Sequence, residues 1–310
     1  MSSAAILGAN GQDGSFLCEI QAAAGHRVLA VGLQPEYAWD APAGEFSYHQ
    51  LDISDQSALR TFLAAQQPES IFHVAAVHGA AGFRYEPVGE KLFAVSLVSV
   101  HSCLEYLRER GEGQLFYASS CKVFGESLRG NIDENTSQRA DCLYSVAKIA
   151  AGKLINCYRR DHGVSAVVGF LFNHESTRRP PQFFIPTVAR ALANGLAGTG
   201  VRETLNSLDF YADWGSAREF MQLASEALQL GVNEDLVVAS GTTVYAADAV
   251  KSLFDAHSLD YRDHLEVATS DGQGGAPPFT ANVSKLSALL GSTPGIDFSQ
   301  LVEDIAGAAG

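Results

Sequence analysis

The 310-residue sequence contains no stretch approaching 18 uninterrupted apolar residues, which excludes a transmembrane helix. It also lacks a basic n-region and a cleavable hydrophobic segment, because an apolar strand starts within three residues of Met1, so no secretory signal is expected. Cysteine is scarce: Cys18, Cys103, Cys121, Cys142 and Cys157 are irregularly spaced and include no CxxC pair. That pattern reads as reduced thiols, not as a disulfide framework or a zinc site, and no histidines sit at metal-ligating spacing. Positive charge is scarce too. The formal net charge of −14, with no basic run to offset it, argues against nucleic-acid and membrane partners. A cytoplasmic protein is expected, and any phosphate-bearing ligand would need local potential from helix N-termini and a few arginines. There is no internal repeat and no low-complexity tract longer than a loop.

What is present is an ordinary globular composition, 46% hydrophobic and 18% charged. Short apolar runs alternate with amphipathic ones through the first half. Strands are predicted at Ala4–Gly8, Arg27–Gly32, Ser70–Ala76, Gln114–Ser119 and Val164–Phe172. Helices are predicted at Gln12–Ala24, Ser54–Gln67, about Pro87 to Arg110, and Cys142–Arg160. This alternation implies an α/β fold of the Rossmann type, a doubly wound parallel sheet with right-handed crossovers. After Phe172 the alternation loosens. Helices are predicted at Phe184–Ala197, Trp214–Leu230, Ala246–His257 and near Asn282–Leu290, with a strand at Leu236–Ala239 and a flexible loop at Gly272–Pro278. Residues 1–172 are therefore expected to form a nucleotide-binding domain. Residues 173–310 are expected to form a smaller, mostly helical substrate-binding region, with about 234–258 returning to the sheet.

Gly8-Ala9-Asn10-Gly11-Gln12-Asp13-Gly14 lies between the first strand and the first helix. Glycines there let the backbone turn tightly and approach a pyrophosphate, at which the following helix aims its free N–H groups. The spacing is GxxGxxG, and its position at the first strand–helix junction is what separates it from a glycine-rich turn. At the end of the second strand Gly32-Leu33-Gln34-Pro35 offers neither the acid that selects NAD nor the arginine that selects NADP. Asp52 is placed to meet an adenine; a loop carboxylate is the alternative. Ala75 and Ala76 end the third core strand beside the cofactor, and His78 follows them towards a cofactor or sugar, or as a satisfied loop histidine.

Tyr144-Ser145-Val146-Ala147-Lys148 places a tyrosine and a lysine one helical turn apart on one face. An ammonium beside a phenol favours the phenolate, so Lys148 is expected to lower Tyr144 from about 10 towards neutrality and to hold a nicotinamide ribose. Tyr144 would then serve as the acid/base for a hydroxyl being oxidised. Such pairs recur by chance in helices, but here Ala118-Ser119-Ser120 ends a strand at a suitable distance upstream, with Ser120 able to share the reacting oxygen.

With the glycine loop, the serine and the Tyr–Lys pair in this order, the chain resembles the extended short-chain dehydrogenase/reductases, and among them the GDP-mannose 4,6-dehydratases. The resemblance rests on Gly11-Gln12-Asp13-Gly14-Ser15, on Asn173-His174-Glu175-Ser176-Thr177-Arg178-Arg179 and on Asp213-Trp214-Gly215. It implies a cofactor, NADP or NAD with NADP favoured, and a nucleotide-linked sugar bound between two domains. It also implies substrate contacts from Asn173, His174 and Glu175, and a homodimer built through the helix at Cys142–Arg160.

Three departures accompany it. The family's proton-abstracting glutamate is replaced by Lys122, preceded by Cys121, in Ser120-Cys121-Lys122-Val123. A lysine at that position is found in related dehydratases and epimerases, epimerase/reductases instead carry a cysteine at that same position, and Cys121-Lys122 matches none of these pairs fully. Ala212 stands where the family has a phosphate-binding arginine, leaving Arg178, Arg179, Arg202 or Arg218 for that task. Ala276-Pro277-Pro278-Phe279 replaces the usual Arg-Pro-x-Glu-Val segment. The expected activity is a 4,6-dehydratase or epimerase that oxidises its sugar at C4 through Tyr144 and Lys148, with Ser120 assisting. Lys122 would be the base of the next step, or a binding lysine, and Cys121 an acid or packing. The alternatives are a cofactor-binding protein of the same fold with little catalysis and a simple 4-keto-sugar reductase.

Overall fold

The computed structural model describes residues 2–79, 82–268 and 277–308. Its centre is a seven-stranded parallel sheet made of β1 (Ser3–Leu7), β2 (Arg27–Gly32), β3 (Phe46–Gln50), β4 (Ser70–His73), β5 (Gln114–Ala118), β7 (Ser165–Leu171) and β11 (Asp235–Val238), in the order β3-β2-β1-β4-β5-β7-β11. Ile6 pairs with Ala30 on one side and Phe72 on the other, so β1 is an inner strand of the sheet. Every residue of β1 is buried, as expected for a parallel strand covered on both faces. The chain winds outward from β1 through β2 to β3 and then returns to β4. That reversal opens a crevice between the carboxyl ends of β1 and β4, the place where such sheets bind ligands.

Helices α1 (Gln12–Ala23), α2 (Gln56–Gln66), α3 (Gly89–Phe93), α4 (Ser99–Arg110) and α5 (Leu143–His162) cover this sheet. The helical stretch predicted from about Pro87 to Arg110 is present as one run, in which a π-turn at Ala94–Val98 joins α3 to α4. The wide turn frees carbonyls inside the helix, and Ser96 O accepts the buried Tyr117 hydroxyl at 3.0 Å. Asp55 caps α2 by accepting from Ala58 N–H, and Gly163 ends α5 with φ +66°.

The remaining strands are short: β6 (Gly130–Ile132) pairs with β14 (Phe279–Ala281), β9 (Glu203–Leu205) with β13 (Leu265–Val267), and β10 (Tyr211–Ser216) with both β8 (Asn173–Glu175) and β12 (Thr243–Tyr245). With them stand α6 (Phe184–Leu196), α7 (Ala217–Gln229), α8 (Ala246–Ala256), α9 (Tyr261–His264), α10 (Ser284–Leu290) and α11 (Phe298–Gly307). Buried apolar side chains fall into two main clusters. The larger follows the seven-stranded sheet and takes in α7 and Leu286 of α10; the smaller joins α6, α8 and α11 around Trp214. Trp214 stacks on Phe184, with ring centroids 5.3 Å apart, and meets Phe298 at 5.2 Å.

Several expectations are corrected. Trp214–Ser216 belong to strand β10, not to the start of a helix, because pairing with β8 and β12 holds them extended. β3 was not expected from Phe-Ser-Tyr-His-Gln, whose polar side chains suit a sheet edge. α11 lies beyond the last predicted helix. Gly272–Ala276 of the predicted loop lie outside the described residues. Among the described residues no helix is long and apolar enough to cross a membrane.

Candidate active site

The crevice at the end of β1 and β4 is a cleft of about 530 Å³. Its floor is the turn from β1 into α1. Gly8 has φ +102°, and a Cβ there would lie 2.8 Å from the Ala75 backbone; a Cβ on Gly14 would lie 2.2 Å from Gly8 O. Both positions therefore require glycine, and the turn they allow brings β1, α1 and the end of β4 together. Gly11 precedes α1 without a side-chain cap, so the N–H groups of the first helical turn are left to the cleft, which Gly11, Gln12, Asp13 and Gly14 line.

Asn10 also lines the cleft, but its carboxamide is committed to the chain after β2. It donates to Gln34 Oε1 and Glu36 O and accepts from Ala38 N–H at 3.0 Å. Leu33 and Gln34 thus form a fixed rim, and no arginine or lysine stands among the lining residues of that strand end. Asp52 lines the same end; Ser54 donates to it through both hydroxyl and backbone, which holds its carboxyl below the usual range. Lys91 stands 3.8 Å from the Asp52 carboxylate.

Ser120, Lys122, Tyr144 and Lys148 line the opposite end. Tyr144 and Lys148 share one face of α5 and are buried, and Ser120 stands close enough to the Tyr144 phenol to favour its charged form. Lys148 Nζ donates to Ala118 O at 2.6 Å and lies 4.7 Å above the Tyr117 ring. The expected lowering of Tyr144 is overturned. Burial raises the phenol well above its ordinary value, and Tyr85, Cys121 and Asp13 add to it; Lys148 is itself pushed down to about 7 by burial and donates its hydrogen bond to a carbonyl. Lys122 N–H donates to Ser120 Oγ, while its side chain is exposed to the cleft. Cys121 is buried, is not among the lining residues, and has its thiol pushed up to about 11 by burial.

The segment after β7 closes the cleft, and the structure divides its polar residues into two groups. Asn173, His174 and Arg179 line the cleft; Glu175, Arg178 and Arg218 do not. Arg178 donates to Ser15 Oγ, pairs with Glu19 and lies over Phe16 and Trp39. Arg218 pairs with the same Glu19. These two arginines fasten the second half of the chain to α1, so their expected role in substrate binding is not supported by their position. Glu175 is buried and raised by that burial, with Arg179 Nε at 3.1 Å as an ion pair lacking hydrogen-bond alignment. The Arg179 guanidinium lies 3.8 Å from the Phe183 ring centroid and faces the cleft.

His174 Nδ1 lies 2.7 Å from Phe172 O and Nε2 lies 3.1 Å from both oxygens of Asp13. A carbonyl and a carboxylate can only accept, so both ring nitrogens carry protons and the pair is an imidazolium–carboxylate. Burial opposes both charges, but the pairing prevails: His174 is raised and Asp13 lowered. Gln12 extends the same junction, donating to His174 O and accepting from Ser176 Oγ.

Ala75, Ala76 and His78 line the wall formed by the chain after β4. Sequence reasoning missed what surrounds His78. Tyr85 hydrogen-bonds it, Tyr85 also stacks on Tyr144 at 5.7 Å, and Phe183 stands across from it. Aromatic enrichment at Phe83 and Tyr85 was the available signal.

The family model for GDP-mannose 4,6 dehydratase matches residues 5–305. A GDP-mannose 4,6-dehydratase of Vibrio cholerae is 28% identical over 250 residues, covering 77% of this chain and 67% of that protein. GDP-mannose 4,6 dehydratase 1 of Arabidopsis thaliana is 27% identical over 322 residues, covering 97% and 87%. Among solved structures, a dTDP-glucose 4,6-dehydratase from Bacillus anthracis in complex with NAD superposes with a TM-score of 0.82 at 17% identity, covering 99% of this chain and 96% of that one. A UDP-N-acetylglucosamine 4-epimerase from Methanobrevibacter ruminantium in complex with UDP-N-acetylmuramic acid gives 0.83 at 16%, covering 99% and 97%.

Proposed function

The chain belongs to the GDP-mannose 4,6-dehydratase family of nucleotide-sugar dehydratases and epimerases, and from the cleft we propose that it oxidises a nucleotide-linked sugar at C4 and then reworks a neighbouring carbon. The observation that carries this reading is one cleft holding a phosphate cradle at one end and Ser120, Tyr144, Lys148 and Lys122 at the other. A nicotinamide dinucleotide fits the cradle: Gly8 and Gly14 leave it free of side chains, and the uncapped N-terminus of α1 offers donors to a pyrophosphate. When bound, the oxidised nicotinamide supplies the acceptor for the C4 hydride.

The chain's own residues handle the proton. Tyr144, which burial holds as a protonated phenol, takes it from the C4 hydroxyl as its own phenolic proton passes on, with Ser120 beside it. Lys148, at about 7, is partly unprotonated near neutral pH, so the Tyr144–Lys148 pair can accept that proton. The resulting ketone acidifies the adjoining C–H bonds. Lys122, exposed to the cleft beside Ser120, is the group placed to move the second proton. Cys121 packs behind them as a buried, protonated thiol.

We propose NAD as the preferred cofactor, although the family resemblance favours NADP. Gly32, Leu33 and Gln34 line the ribose end without a cation, and Lys91 is turned to Asp52, so a 2′-phosphate would have no charged partner. Arg179, which lines the cleft although it also pairs with Glu175, is the cation proposed for the sugar carrier's phosphate. Beyond residue 198 the Lys and Arg side chains are Arg202, Arg218, Lys251, Arg262 and Lys285. Arg202 donates to Arg262 O and Leu265 O, and the other four are paired with carboxylates. A homodimer would use the outer face of α5, where Val146 is exposed.

Incubation with NAD or NADP and a panel of GDP-, UDP-, CDP- and dTDP-sugars, followed by mass spectrometry, tests the reading. Loss of one water identifies a dehydratase, and an altered sugar of unchanged mass identifies an epimerase. Unaltered substrates throughout refute the proposal.

A further inference from the structure

His78 is a histidine whose hydrogen bonding fixes where its proton sits. Its Nδ1 lies 2.6 Å from the Tyr85 hydroxyl. Tyr85 is buried, and its hydroxyl has no other hydrogen-bond partner among the described residues. If the imidazole were the donor, the buried phenol proton would have no acceptor, at a cost of about 1–3 kcal/mol. The phenol therefore donates, Nδ1 accepts, and the proton of the neutral ring sits on Nε2.

The ring is held on three sides. It stacks on Tyr85 at 6.2 Å with an interplanar angle of 14°, lies 4.8 Å from the Tyr144 ring and 6.3 Å from Phe183. Among the described residues Nε2 has no hydrogen-bond partner, and His78 lines the cleft together with Tyr144 and Lys122. We propose that His78 is a fixed neutral donor whose Nε2–H binds a sugar oxygen beside Tyr144, and that Tyr85 is the positioning residue that locks this tautomer.

The role rests on the C4-oxidation reading above, since it places the donor against the carbon at which a hydroxyl becomes a ketone. Burial, then the nearby Lys122, Arg179 and Lys148, push His78 down to about 3. It is therefore unsuited to be the base of the reaction and suited to donate throughout it. Ser120 serves the same carbon from the end of β5, whereas His78 comes from the end of β4, so two neutral donors flank Tyr144 from different walls.

The direct test is long-range ¹H–¹⁵N correlation of histidine-labelled protein from about pH 6 to about pH 8. His78 is expected as the neutral Nε2–H tautomer throughout, and Tyr85→Phe is expected to populate the Nδ1–H form. An Nδ1–H tautomer or an imidazolium in the wild type overturns the proposal. With GDP-mannose and NAD as the probe, His78→Ala should lower kcat roughly 100-fold with little change in KM. His78→Gln, whose amide reaches the Nε2 position, should recover most of that loss. Equal losses for both variants, or an unaffected His78→Ala, also overturn it. A wild type inert towards every sugar nucleotide and both cofactors refutes the function proposed above instead, and the tautomer measurement then decides this inference alone.

Discussion

Replacing Asp13 by asparagine should destabilise the protein by an amount that depends on pH in a defined direction. His174 and Asp13 meet at 3.1 Å with side chains only 13% and 19% exposed, and they join the phosphate turn to the segment after β7. Removing one member of a buried pair costs about 3–5 kcal/mol, and the residual exposure here places the expectation near 3 kcal/mol. Asp13 is lowered on folding, so its share is present above its ordinary value of 3.8 and is lost as pH falls through the lowered one. His174 is raised, so its share is present below 6.5 and is lost as pH rises through the raised value. The two shares are complete together between 3.8 and 6.5. Above that window a neutral His174, still donating from Nδ1 to Phe172 O, turns an Nε2 lone pair towards the carboxylate. An asparagine amide can donate to that lone pair, so the variant should recover to within about 1 kcal/mol at alkaline pH. Urea denaturation of both proteins at about pH 5.5 and about pH 9 reads the difference. A penalty that is the same at both pH values would refute the charged pair.

The glycine turn makes a graded prediction. Gly8→Ala, strained at φ +102° and 2.8 Å from the Ala75 backbone, should lose about 1–3 kcal/mol and the affinity for NAD. Gly11→Ala, whose Cβ would sit 3.3 Å from Gly8 O at an ordinary φ, should lose much less; thermal melts with and without NAD compare them. Arg178→Ala should destabilise by about 1–3 kcal/mol and leave KM for the sugar nucleotide unchanged, because it leaves Glu19 and the Phe16 ring to Arg218 alone. Arg179→Ala should raise KM instead, and steady-state kinetics beside denaturation separate the two arginines. Cys121→Ala should retain kcat and lose about 1 kcal/mol or more through the small cavity it leaves. A loss of kcat in this variant would restore the thiol to the chemistry.

The features legible in the sequence are those whose geometry is local. The glycine turn lies within seven residues, Gly8 to Gly14, and Tyr144 and Lys148 are four apart on one helix, so spacing alone places them. The strands of the buried sheet were readable for a similar reason, since residues such as Ala4–Leu7 and Ala166–Leu171 are apolar on both faces. Long-range pairing was not legible. Arg178 reads as a free cation until Glu19, 159 positions away, is brought beside it. The direction of the Tyr144 shift is set by its burial and by neighbours such as Tyr85, which only the fold brings beside it. β10 is held extended by neighbours at Asn173–Glu175 and Thr243–Tyr245, and nothing in Asp213-Trp214-Gly215 itself requires it. Tyr85 lies in a stretch without regular period, and only the fold brings it against His78 and Tyr144.

Oxidation at C4 requires Tyr144 to remove a proton as hydride leaves that carbon. The most direct measurement is a single-turnover reaction of wild type and Tyr144→Phe with NAD and a sugar nucleotide from the panel that the wild type converts, prepared with hydrogen or deuterium at C4. Reduced nicotinamide is followed by absorbance. It should form transiently in the wild type, form more slowly with the deuterated sugar, and go undetected with Tyr144→Phe. Equal rates for the two isotopologues, or product formed by Tyr144→Phe at the wild-type rate, would contradict that requirement.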